Sequence, residues 1–394
     1  MKASTTQHAR TGRRLGRLVA LAALALPLTA AGNSVEIGQT TVTWGGFIKA
    51  DAIFSRFSDG RVPQSAGRDF YLPAGIPTSD GSGQSFSVTD FHAKETRLFA
   101  SMKTQYAGIA VGGHVEFDFI VNQGAGDERI TNAYNPGLRR AFVTLDNWLI
   151  GQEWTTFQNL GAIPDVLDFV AFPSEGTIFV RQPMLRYSNG GFAIALENTE
   201  TTLGTGAPAS QTQDGVIPDL TLRYVSTFEG GNFAVTGLLR QLRVDELNPA
   251  APNGMKETEV GYGIGLSGKL PLGASDIRFM LTHGDGVGRY LALSAVPDVV
   301  VDANGQLDTV SVTNGYIAYR QPWTDKWRST VTFSYLNAED TVGLKSLTGY
   351  AVNLLYSPVP KITTGVEYRR GEREEENGND GSLDRVQFSV KYVL

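Results

Sequence analysis

Leu383-Asp384-Arg385-Val386-Gln387-Phe388-Ser389-Val390-Lys391-Tyr392-Val393-Leu394 decides how this chain is read. Successive side chains of a strand point to opposite faces. Val386, Phe388, Val390, Tyr392 and Leu394 therefore share one apolar, aromatic-bearing face, and Arg385, Gln387, Ser389 and Lys391 share a polar one. Such a segment suits the edge of a soluble sheet or the closing strand of a transmembrane β-barrel. The remainder of the chain separates the two.

Residues 1–31 carry Lys2, Arg10, Arg13, Arg14 and Arg17 and no acid, then an apolar stretch from Leu18 to Leu28, then Thr29-Ala30-Ala31. This pattern predicts a secretory signal peptide over 1–31, cleaved before Gly32, with 32–394 as one domain. The apolar stretch is too short for a spanning helix, and no other segment approaches ~18 consecutive apolar residues. Cysteine is absent, so an exported chain of this size must hold its fold without disulfides. Without the five basic residues of the leader, 29 basic residues face 40 acidic ones, a net charge of −11. That balance argues against nucleic acid as a partner.

Period-2 alternation after Gly32 gives about sixteen strand candidates: 41–58, 91–106, 109–122, 137–147, 148–156, 178–188, 191–200, 218–228, 232–244, 257–270, 276–284, 309–320, 326–338, 346–357, 361–371 and 383–394. Their connections alternate short and long. The short ones are turn sequences such as Ala107-Gly108, Asp146-Asn147, Glu229-Gly230-Gly231, Gln321-Pro322 and Ser357-Pro358. The long ones, 59–90, 123–136, 157–177, 201–217, 245–256, 285–308, 339–345 and 372–382, are rich in Gly, Asp, Asn, Ser and Pro. A soluble sandwich has no reason to keep this parity, whereas an outer-membrane barrel with both termini in the periplasm must. In 109–119, Val111, Val115, Phe117 and Phe119 oppose His114, Glu116 and Asp118, a lipid face against a wet one. Trp44, Tyr106, Trp148, Tyr187, Trp327, Tyr335, Tyr356 and Tyr392, near strand ends, predict two aromatic girdles. The fold class expected is all-β: a transmembrane antiparallel β-barrel of about sixteen strands, wide enough for an aqueous channel.

The quoted terminal strand is similar to the closing strand of outer-membrane barrels, with Leu394 where Phe is usual. The chain as a whole resembles the DcaP-like porins. The resemblance rests on Gly45-Gly46-Phe47-Ile48-Lys49-Ala50-Asp51, Glu95-Thr96-Arg97-Leu98, Gly113-His114-Val115-Glu116-Phe117-Asp118, Leu138-Arg139-Arg140-Ala141-Phe142, Ile150-Gly151-Gln152-Glu153-Trp154-Thr155-Thr156-Phe157 and Arg181-Gln182-Pro183-Met184-Leu185-Arg186-Tyr187. It implies a homotrimeric, sixteen-stranded channel of the Gram-negative outer membrane, surrounded by its lipids, that takes up dicarboxylic and related aromatic acids. One departure stands out: about nine residues separate Gly32 from the first strand, too few for the periplasmic coiled coil of the best-known type. Trimerisation would then rest on the barrel wall.

Selection in a porin is by size and field, so lumen-facing charges matter most. The connection 158–177 is the candidate constriction loop and carries Asp165, Asp168 and Glu175. Alternation places Lys49, Arg97, Arg140 and Arg385 on the facing wall, with Arg186 further round. A negative loop opposite a positive wall would set a transverse field. Over all strands the lumen-facing set has a modest basic excess, worth roughly 1 kcal/mol per uncompensated charge in a wet channel. Arg suits bidentate carboxylate capture. The expected function is passive, anion-favouring diffusion of small carboxylates, with Arg97 and Arg140 as leading contacts. The competing role for each arginine is a salt bridge that stiffens the wall. A lumen plugged by 59–90 and 157–177, making a substrate-gated transporter, and a surface receptor or adhesin barrel are the alternatives. No cofactor and no metal is expected: Gly261, Gly263 and Gly265 alternate with a strand face rather than opening a helix, and the carboxylates of 372–380 lack the spacing of a defined site. No catalysis is expected either, because only His92, His114 and His283 follow the leader and no Gly-x-Ser-x-Gly element occurs.

Overall fold

The computed structural model describes residues 32–120, 130–168, 173–204, 209–248, 254–302, 305–339, 341 and 343–394. The leader read at 1–31 and parts of several long connections lie outside the described residues.

A short arm, β1 (Asn33–Ile37), folds back onto β2 (Thr40–Phe57). Around the barrel follow β3 (Phe86–His92), β4 (Arg97–Tyr106), β5 (Ile109–Asp118), β6 (Gly137–Leu145), β7 (Trp148–Trp154), β8 (Arg181–Asn189) and β9 (Phe192–Glu197). Then come β12 (Asp219–Phe228), β13 (Gly231–Val244), β14 (Glu257–Leu272), β15 (Ser275–Asp285), β18 (Ser311–Pro322), β19 (Trp327–Glu339), β20 (Leu344–Val359), β21 (Ile362–Glu375) and β22 (Asp380–Val393). Eighteen strands form one sheet; without the β1 arm, and with β3 and β4 taken as one interrupted strand, they make a closed antiparallel barrel of sixteen among the described residues. β22 closes it on β2, pairing Lys49 with Lys391 and Ser55 with Arg385. Closure leaves no lipid-facing edge, which a spanning sheet requires.

The terminal strand behaves as its alternation dictates. Phe388, Val390 and Tyr392 are exposed on the outer, lipid-side face, whereas Arg385, Gln387 and Ser389 are buried on the inner one. At the short-turn end, Trp148 stacks edge-on with Tyr187 at 5.0 Å and Trp327 lies over Tyr356 at 4.4 Å, as an interfacial girdle would.

All sixteen strand candidates are present, with corrections at their ends. The second is longer and broken: β2 pairs Asp51 with His92 but Phe47 with Arg97, so one extra residue bulges between β3 and β4. The turn expected at Ser357-Pro358 is still strand, since β20 continues to Val359 through an irregularity. Pro is tolerated there because the ladder is already broken. The outer connections were read as loops, yet β10 (Thr202–Gly204), β11 (Ser210–Gln211), β16 (Val299–Val301) and β17 (Leu307–Thr309) assemble into a separate four-stranded sheet. Gly46, at φ 137° within β2, faces the Arg97 carbonyl so closely that a Cβ would collide with it. Only Gly fits a strand crossing that tight.

Candidate functional site

Among the described residues three connections fold into the lumen: 58–85, 155–168 continued by 173–180, and 286–298. The sequence indicated the first two, and the third was unforeseen. Phe157 and Ile178 of the second loop and Val287, Tyr290, Leu291 and Val296 of the third pack against wall residues Leu238, Met280, Tyr316, Leu336 and Leu347. Val62, Tyr71 and Ile76 of the first loop pack on Phe57 and Leu383, and Leu293 of the third reaches this second cluster. The loops thus form a joined apolar body against β13–β20 on one side and against β2, β3 and β22 on the other, leaving polar side chains toward β4–β12. The third loop is anchored by Arg240, which binds Asp298 at 2.7 Å and Asp219 at 3.1 Å, while the Tyr290 hydroxyl donates to Asp219 at 2.8 Å.

Wall cations hold the second loop largely through its backbone. Arg186 donates to Thr156 Oγ1 at 2.7 Å and to the Trp154 carbonyl. Arg223 donates to the Gln158 carbonyl at 2.7 Å, Arg278 to that of Ile163, and Lys49 Nζ to that of Leu167 at 2.7 Å. A loop passing through a lumen has unpaired carbonyls, and strands that carry Arg inward satisfy them.

The acids predicted on this loop are in contact with the wall or with the first loop rather than across an opening from it. Asp165 accepts from Arg328 Nε at 2.5 Å, with Arg320 at 3.7 Å. Asp168 accepts from the Tyr71 amide at 2.8 Å and lies 3.9 Å from Arg385. Glu175 binds the Tyr71 hydroxyl and, at 2.8 Å, Ser334. Of the predicted cations, Lys49 also meets Glu95 at 2.6 Å and Asp51 at 3.0 Å, and Arg385 donates to Ser55 at 3.0 Å. Arg97 and Arg140 stand apart from these, on the β4–β7 wall. Arg140 grips Glu153 bidentately at 2.7 and 2.6 Å, and Arg97 lies 3.7 Å from Asp118 and 3.9 Å from Glu116.

Two lumen charges escaped strict alternation. Glu116 pairs with Arg140 but Phe117 with Leu138, so Arg139 is the extra residue of a bulge. Both Arg139 and Arg140 face inward while Leu138 faces out. Arg139 then contacts two acids of the cluster directly, Glu116 at 2.9 Å and Asp118. The bulge between β3 and β4 likewise buries the consecutive Lys94 and Glu95, and Lys94 meets Asp69 at 2.5 Å. The adjacent Arg139-Arg140 and Lys94-Glu95 pairs were the only signals in the sequence.

Asp51, His92 and Glu95 bring ligand-type atoms within 4.8 Å of one another. They do not fit a metal ion: the Lys49 ammonium already bridges Asp51 and Glu95, and a second cation there would meet its full repulsion. Charge is balanced differently further round. Arg97, Arg139 and Arg140 face Glu116, Asp118 and Glu153, whereas Arg181, Arg186 and Arg223 have no carboxylate within 4.0 Å among the described residues. Arg181 lies instead over the rings of Trp154 at 5.0 Å and Phe179 at 5.8 Å. Ala193 and Ala195 of β9 separate Arg186 from Arg223 with small side chains.

Burial would raise the Asp165 carboxyl, but Arg328, Lys391 and Arg320 outweigh it and hold it below the usual value of 3.8. A lowered carboxyl loses its ion pair only as pH falls through its folded value. The Asp165 contact is therefore expected to persist above pH 4 and to loosen below it, checked as a rise in proteolytic cleavage near Asp165 confined to the acid limb.

A closed sixteen-stranded barrel with short turns at one end, long loops at the other, a lipid-side apolar face and charged side chains within is an outer-membrane channel of the porin class. The family model described as DcaP outer membrane protein matches residues 24–394, and the chain belongs to that family. The crystal structure of the outer-membrane channel DcaP of Acinetobacter baumannii is similar at TM-score 0.74 and 22% identity, over 92% of this chain and 99% of that one. An anion-selective porin from Comamonas acidovorans is similar at TM-score 0.56 and 12% identity, over 90% and 100%. Salmonella typhi OmpF, in complex with daunomycin, gives 0.54 and 8%, over 92% and 100%. These identities speak to the fold alone. No curated protein sequence matches significantly.

Proposed function

We propose that this outer-membrane channel passes small anions in preference to cations, with carboxylates as its solutes. The observation that carries the reading is the run of Arg181, Arg186 and Arg223 without carboxylate partners beside a charge-balanced cluster. Unmatched charge near a narrow path acts within a Debye length, so it outweighs the net −11 spread over the mature chain. The short wall strands support a homotrimer: β7 and β9 have only 7 and 6 residues, between β6 and β8 of 9 each, against the ~9–11 needed to cross a bilayer. Their outward Leu138, Ile150, Leu185 and Leu196 would meet neighbouring copies there.

The test is the reversal potential of the refolded mature protein in a planar bilayer under a salt gradient. Wild type is expected to favour anions. Arg181 braces no loop carbonyl and meets the loop only at the Phe179 ring, so Arg181→Gln reads mainly charge: it should lower the anion-to-cation permeability ratio roughly two- to fivefold at low salt, with the difference fading at molar salt. A cation-favouring wild type would refute the proposal.

One observation favours a second reading, a substrate-gated transporter. Leu293 joins the two apolar clusters across the lumen. Swelling of proteoliposomes in neutral sugars separates the two readings, since only an open pore admits them.

A further inference from the structure

Of the three acids on the second inward loop, only Asp165 is reachable by solvent. Its side chain is 30% exposed, against 2% for Asp168 and none for Glu175. Its Oδ2 sits at the short-turn end of the lumen between two cations, Arg328 Nε at 2.5 Å and Arg320 Nε at 3.7 Å. Arg328 is itself held in place, donating from Nη1 to Ser357 Oγ at 2.9 Å. Beside them is a recess of about 30 Å³, lined in part by Asp165, Arg328, Lys391, Phe47 and Thr363. Asp165 already holds the Arg328 Nε, so a solute carboxylate takes that contact only by displacing the loop's own. Lys391 stands on the far side, 5.7 Å from the Phe47 ring centre. Its ammonium makes no ion pair or hydrogen bond with any described residue.

We propose that Arg328, Arg320 and Lys391 form a carboxylate-binding subsite on the periplasmic side of the constriction, and that Asp165 occupies it as an internal stand-in for the solute. Arginines oriented on a carboxylate by a fixed hydroxyl suit any carboxylate of similar reach. Lys391, which lines the same recess and makes no direct ion pair with a described residue, supplies the second positive contact that a diacid uses. A solute arriving there competes with the loop, so its binding and the loop's clasp exclude one another. The proposal rests on the anion-favouring reading and adds to it a place and a competitor.

The experiment is block of single-channel current by succinate added to the periplasmic side of channels inserted in one orientation. Heat-modifiable migration is used to confirm that each variant has folded. Asp165→Asn keeps the side-chain shape and removes the competing charge. Its half-blocking concentration is expected to fall about tenfold relative to wild type, as one freed charge contact allows. Adding Arg328→Gln should return block to the wild-type level or weaker. Lys391→Gln holds no part of the loop, and in the Asp165→Asn background it should weaken block severalfold. Unchanged block in Asp165→Asn, with wild type still anion-favouring, overturns the subsite and leaves the selectivity reading standing. A cation-favouring wild type refutes both.

Discussion

Leu293→Asn is expected to raise single-channel conductance by roughly threefold, because the cross-section left open sets the current. Ala292, Leu293 and Ser294 all have left-handed backbones, at φ 47°, 62° and 60°. A non-glycine residue held there costs roughly 1–2 kcal/mol, so the surroundings must fix this turn. Ala292 donates to the Thr177 carbonyl at 3.0 Å, and Leu291 is fully buried in the larger apolar cluster. Leu293 alone crosses to Val62, Tyr71 and Ile76. Asn adopts the left-handed conformation more readily than Leu, so the substitution keeps the backbone and removes only the apolar tie. Larger, noisier openings would show that the tip bars the path. An unchanged conductance in a correctly folded barrel would show that solutes pass elsewhere.

Arg139→Ala is expected to destabilise the barrel by about 3–5 kcal/mol, the usual result of removing one partner from a buried ion pair. Arg139 is 5% exposed and its partners Glu116 and Asp118 are 9% and 2% exposed. Without it, Arg97 and Arg140 remain to match Glu116, Asp118 and Glu153, so three cations facing three carboxylates become two. The reversal potential should therefore move toward cations as stability falls. Restoring balance with Glu116→Gln in the same chain should recover the potential and part of the stability. Urea unfolding in detergent, read by heat-modifiable migration, measures the first effect and bilayer recording the second. A shift in stability with no change in potential would place the cluster outside the ion path and leave it a purely structural brace.

Leu293 and Arg139 both lie where the local two-residue period carries no information. Strand existence was legible because an inside and an outside of opposite polarity repeat every second residue, as in Val386 to Leu394 and in Val111 to Phe119. Alternation fails at a bulge, where one extra residue turns two neighbours to the same side. For that reason Arg140 was placed and Arg139 was not, and Glu95 was placed and Lys94 was not. Leu293 left no signal at all, since a loop's path depends on what it packs against and not on a period.

The predicted site residues show the same division. Asp165, Asp168 and Glu175 were expected on an inward loop, and that loop does fold inward. Asp165 and Asp168 nevertheless lie in contact with Arg328 and Arg385, and Glu175 with Tyr71, where an open field had been expected. Lys49 was expected on the lumen-facing wall, and there it bridges Asp51, Glu95 and the Leu167 carbonyl.

The sequence by itself determined that the chain is a barrel, how many strands it has and which face of each strand is wet, because these follow from a local period and from turn chemistry. Only the tertiary structure decided which charges cancel, which loops fill the lumen and where cations stand unmatched. Those depend on distances between residues as far apart as Lys49 and Leu167 or Asp165 and Arg328, which closure of the barrel brings together and no local pattern encodes.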